Sequence, residues 1–94
     1  MARFAPWYRR EEYALIREIM DDAEDTLPLT FDEWEENAES EREAARRELV
    51  FIEPVFIDPA EFFSYCKEKK ISPSSTAAAE LANSRGAARY SMGM

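Results

Sequence analysis

Three features of this 94-residue chain have the residue types that chemistry needs: a cysteine, a dense run of carboxylates, and carboxylate pairs at helical spacing. Cys66 is the only thiol, and the chain contains no histidine. The commonest general base and a preferred metal ligand are therefore missing. Cys66 also falls on the inward side of a predicted helix, where a free cysteine acts as a small core residue. Gly86 and Gly93 are the only glycines, too few and too far apart for a phosphate-cradling loop.

The carboxylates need more thought. From Glu18 to Glu41 there are eleven Asp or Glu and no Lys or Arg. The stretch DDAED (21–25) has hard oxygen ligands, but it lacks the alternating spacing and the glycine of an EF-hand loop. Asp32 and Glu36 are placed as an acid/base pair would be, one helical turn apart, yet on a helix surface with no pocket implied. A negative face built from Asp21, Asp22, Asp25, Glu35, Glu36 and Glu39 could imitate nucleic-acid phosphates or meet a basic protein. The plainer reading is a solvated helix surface whose first-turn acids offset the helix dipole.

Charge and composition narrow the field further. The net charge is −8 and the pI about 4.5, the wrong sign for direct nucleic-acid binding through phosphate neutralisation. Hydrophobic residues make up 46% of the chain, but fourteen of them are alanines that bury little area. Leu, Ile, Val and Phe together number only 18, so the core is small, and small cores often depend on oligomerisation. A single cysteine suits a reducing cytoplasm. The N-terminal MARFAPWYRREEY lacks a signal-peptide core, and no stretch reaches the length of a membrane span. No cofactor is implied, and the expected location is the cytoplasm.

The elements that would position these residues are mostly helices. Tyr13, Ile16, Ile19 and Met20 share one face of a helix predicted over 9–22. Pro28 breaks the chain before a second helix, which opens with a capping box of Thr30 and Glu33 and carries the stripe Phe31, Trp34, Ala38, Ala45 and Leu49. Glu41 and Arg42 interrupt that stripe, which implies that its middle turns project into solvent. Trp34 is the expected buried anchor. Asp58 as N-cap, Pro59 at the first helical position and Glu61 start a third helix that buries Phe62, Phe63 and Cys66. Ser72-Pro73 opens a fourth by the same logic, with Gly86 ending or weakening it.

Between the second and third helices lies LVFIEPVFI (49–57), rich in β-branched and aromatic residues, a predicted strand. A hairpin around Glu53-Pro54 has poor turn chemistry. Residues 2–5 offer only a weak partner ending at Pro6. The same strand in a second chain is the remaining option, with Val50, Ile52, Pro54 and Phe56 as the expected two-fold interface. The predicted fold is therefore mainly α with one short β-strand, ordered α-α-β-α-α. It forms a single small domain over residues 1–86, followed by a C-terminal tail at 87–94.

FDEW at 31–34 and FIDPAEFFSYC at 56–66, followed by a polar helix, resemble a group of short bacterial proteins of unknown function. The Pro6-Trp7-Tyr8 start departs from that pattern. The resemblance implies a bacterial origin and a compact small fold, and it carries over no catalytic residue. The expectation is a small acidic, non-catalytic protein acting as a homodimeric interaction or adaptor module. The alternative is an acidic inhibitor, phage-type or nucleic-acid-mimicking, that binds a basic nucleic-acid-handling protein.

Overall fold

The computed structural model describes residues 2–92, with side chains assigned through residue 89. The elements are β1 (Ala2–Trp7), a 3-10 turn (Arg10–Glu12), α1 (Tyr13–Ile19), α2 (Ala23–Thr26), α3 (Phe31–Arg47), β2 (Phe51–Phe56), α4 (Pro59–Lys69) and α5 (Ser75–Met92). The architecture is mainly helical, with a two-stranded parallel sheet.

The strand at 51–56 finds its hydrogen-bonding partner within the chain. β1 pairs with it in parallel, with Ala2 opposite Phe51 and Trp7 opposite Phe56, and the Ile57 N–H extends the ladder to the Trp7 carbonyl (2.9 Å). A second chain is therefore not required to satisfy this ladder, contrary to the sequence expectation, and the element order gains an N-terminal strand. In a parallel ladder, alternate residues direct both backbone groups to the neighbour. The Ile57 bond puts Val55 and Glu53 in the inward phase on β2, and Trp7, Ala5 and Arg3 on β1. Pro6 and Pro54 both fall in the outward phase, where a missing N–H costs the ladder nothing. Pro6 thus lies inside a strand that sequence reasoning had ended before it.

Side chains alternate across the sheet, and each face is covered by a helix. Phe4 points to α5, where its ring fills the space a Cβ on Gly86 would need. Trp7, of opposite parity, meets Trp34 of α3 edge-on at 5.2 Å. Val55 and Ile57 are fully buried in the same core as Ile16, Phe62, Cys66, Ala78 and Ala82.

The helix predicted over 9–22 is shorter and in two pieces, the 3-10 turn at Arg10–Glu12 and α1, which ends at Ile19. Met20 adopts an extended backbone (ψ 125°), and the chain then re-enters a single helical turn at α2. The predicted apolar face survives the break, with Tyr13, Ile16 and Met20 buried. The cap of α5 is Ser74, two residues beyond the expected Ser72. Ser74 Oγ accepts from the Ala77 N–H (3.2 Å), while the Pro73 carbonyl accepts from the Asp21 N–H (2.9 Å). α5 continues through Gly86 to Met92, because the Phe4 ring packs where the glycine leaves room. Of the segment read as a tail, Gly93 and Met94 lie outside the described residues. No described helix is long and apolar enough to cross a membrane.

Candidate functional site

The chemistry-bearing residues are dispersed in the structure. Cys66 is 2% exposed, and burial, with smaller contributions from Asp21 and Glu80, raises its thiol above the ordinary value. A neutral, enclosed thiol is a poor nucleophile. Among the described residues no group of three or more candidate ligands is arranged to hold a metal ion. The acidic residues separate as well. Asp22 turns inward: its Oδ1 accepts from the Ser75 N–H (3.1 Å) and its Oδ2 from the Ser75 hydroxyl (2.8 Å), tying the α1–α2 connection to the start of α5. Asp21 stays exposed on that connection and Asp25 on α2, whereas Glu35, Glu36 and Glu39 are exposed on α3.

α3 is the element that presents a surface. Thr30 Oγ1 accepts from the Glu33 N–H (3.2 Å) and starts the helix. Trp34, its single buried residue, anchors it among Trp7, Tyr8, Tyr13 and Phe31, with ring centroids 5.1 to 6.0 Å away. Phe31, Ala38 and Ala45 continue the stripe half-buried, and the remaining residues face water. A 17-residue helix held by one tryptophan offers most of its length to solvent.

The end of α3 sets up a groove. The Leu49 N–H donates to the Arg46 carbonyl and the Val50 N–H to the Ala45 carbonyl, the paired bonds of a Schellman motif. That motif needs a left-handed residue, and Leu49 supplies it with φ 63° where glycine is the usual choice. The turn leaves Leu49 72% exposed and Phe51 53% exposed. Beside them lies a groove of about 300 Å³ walled by Glu39, Arg42, Glu43 and Arg46 of the helix and by Val50, Phe51 and Ile52 of the chain leaving it. None of the four helix charges is in an ion pair within the described chain, whose ion pairs are Arg9–Glu12, Arg10–Asp32, Arg85–Glu61 and Arg89–Glu53, although the Arg42 guanidinium lies over the Trp7 ring (5.9 Å).

The residues expected to form a strand-to-strand interface divide between two places. Val50 and Ile52 reach this groove. Phe56 lies further along, beneath the Arg9 guanidinium (4.7 Å from its ring), and its carbonyl accepts from Arg85 (2.7 Å). The Val50 N–H is taken by Ala45, Pro54 has no N–H, and the Phe56 carbonyl is occupied, so the outer edge of β2 is blunted against strand addition. Two of the residues singled out in the sequence have local structural tasks. Asp58 Oδ1 accepts from the Ala60 N–H (2.9 Å), and Pro59 occupies the first turn of α4.

Sequence reasoning missed Arg42, Glu43, Arg46, Leu49 and Phe51 as a set. The available signal was the 39, 42, 43, 46 spacing, which places alternating charges on one helix face. The chain matches no family model, no curated protein and no solved structure.

Proposed function

We propose that this protein is a non-catalytic interaction module, working in the cytoplasm, that binds a protein partner through the groove between α3 and β2. The reading rests on one observation: four helix charges with no ion pair in the described chain wall a groove lined by exposed Phe51, with exposed Leu49 two residues before it in the chain. Exposed apolar residues ringed by charges that lack an internal ion pair are the anatomy of an interface core and rim. The occupant expected first is a second copy of the chain, making the module a homodimer. The test compares the parent with Phe51→Ser by sedimentation velocity and by affinity capture, with thermal melts as the control for folding. The reading expects the substitution to abolish association while the melting profile is retained. If the variant keeps every association of the parent, the groove is not the working surface.

A second reading is supported by Glu35, Glu36 and Glu39, exposed along α3 without an ion pair among the described residues. It makes the helix an acidic decoy for a basic nucleic-acid-handling protein, consistent with the net charge of −8. Capture of such a partner that fails at high salt, and that is lost on replacing the three glutamates by glutamine, supports it. Capture that survives both changes rejects it.

A further inference from the structure

The charge pattern around the groove is self-complementary. On α3 the order is Glu39, Arg42, Glu43, Arg46, all exposed. Inverting this order about a point midway between residues 42 and 43 exchanges Glu39 with Arg46 and Arg42 with Glu43. Every acid then lies opposite a base, and the pattern maps onto itself. An isologous two-fold interface makes this demand, since each contact between residues i and j recurs as j and i.

We propose that the occupant of the groove is a second copy of this chain, docked with the two α3 helices antiparallel about a two-fold axis between residues 42 and 43. This rests on the homodimeric interaction-module reading and specifies which helices meet and in what register. Glu39 meets Arg46 of the partner subunit, and Arg42, turning from the Trp7 ring it covers in the single chain (5.9 Å), meets Glu43 of the partner subunit, giving four symmetric ion pairs. Leu49 and Phe51, at the end of each helix, cover the flanks of the contact. The ion pairs set register and orientation, whereas most of the affinity comes from the apolar residues, because exposed pairs contribute little each. The arrangement is helix to helix. It leaves the blunted outer edge of β2 out of the contact, which distinguishes it from the strand ribbon expected from the sequence.

Charge reversal tests the register. Arg46→Glu sets a carboxylate against Glu39 of the partner subunit at two symmetric places. Glu39→Arg sets a guanidinium against Arg46 of the partner subunit at the same two places. Each single reversal is expected to weaken the dimer about tenfold or more by sedimentation equilibrium. The double variant Glu39→Arg/Arg46→Glu restores opposite charges at both places and is expected to recover most of the lost affinity. Both side chains are exposed, so the variants should fold, as circular dichroism and melting would verify. Single reversals without effect, or a double variant no better than the singles, overturn this register. A parent that stays monomeric up to about 100 µM overturns the second copy as occupant. The interaction-module reading fails separately, when Phe51→Ser keeps every association the parent has.

Discussion

Replacing Leu49 by glycine is expected to make the folded monomer more stable while weakening its association. Leu49 has φ 63°, in the left-handed region that closes the Schellman motif of α3. A side chain there costs about 1–2 kcal/mol through the crowding of Cβ against the following carbonyl. Glycine removes that cost, but its greater freedom in the unfolded chain takes back about 0.5–1 kcal/mol. The side chain is 72% exposed, so little buried apolar area is lost. The balance is a gain of about 0.5–1 kcal/mol, or roughly 2–8 °C in Tm for a domain of this size. The measurement is urea unfolding at low protein concentration, where association contributes nothing, followed by sedimentation at high concentration. A loss of stability in Leu49→Gly would refute the strain argument and show that leucine is held at this position by contacts worth more than its backbone cost. Raised stability with unchanged association would remove Leu49 from the interface.

Four further outcomes are expected. Trp34→Ala, which empties the centre of the five-ring cluster, should cost on the order of 3–5 kcal/mol and leave little folded protein by circular dichroism. Gly86→Ala should destabilise by about 1–3 kcal/mol in chemical unfolding despite alanine's better helix propensity, because the Phe4 ring occupies the space of the new methyl group. Asp22→Ala breaks the bonds to Ser75 and should cost about 1–2 kcal/mol, with amide exchange faster at the start of α5. Burial first, then Tyr13 and Asp22, raises the Tyr8 phenol well above its ordinary value, so the folded chain holds that proton more tightly than the unfolded chain does. This contribution to stability is intact below about pH 10 and is lost as pH rises beyond it, so alkaline unfolding should coincide with the tyrosinate absorbance change, and Tyr8→Phe should delay it.

Much of the helical framework was legible in the residues. Thr30 with Glu33, and Asp58 with Pro59, mark helix starts through local hydrogen bonding that needs no tertiary context. The spacing of Tyr13, Ile16 and Met20 identified a buried face, even though the helix carrying it is broken at Met20. The sheet was harder to read because both of its prolines look like strand breakers. Their effect depends on which way the missing N–H would point, and that phase is fixed only by pairing with a distant segment. Gly86 misled for a related reason: its role is to receive Phe4, a contact between opposite ends of the chain. The candidate surface depends on the exposure of Leu49 and Phe51, which sequence reasoning assigns to a stripe and a strand and would bury. Its charges were visible as a helical spacing but meant little until the groove beside them was seen.

The pairing of β1 with β2, and of Phe4 with Gly86, has a consequence for how the chain is made. During synthesis β1 precedes its partners, so its ladder must wait for residues 51–56 and its Phe4 face for α5. Closing such distant contacts is slow relative to forming α3 or α4. Trp7 can already meet Trp34 of α3 before then, whereas the strand ladder and the face carrying Phe4 stay uncovered until β2 and α5 have been made. The pairing of β1 with β2 is therefore expected to close late in folding, after the local helices. A domain fused after residue 94 would leave that order intact. A bulky fusion before Ala2 would burden the segment that pairs late, and its cost should show as slower refolding rather than as a weaker native state.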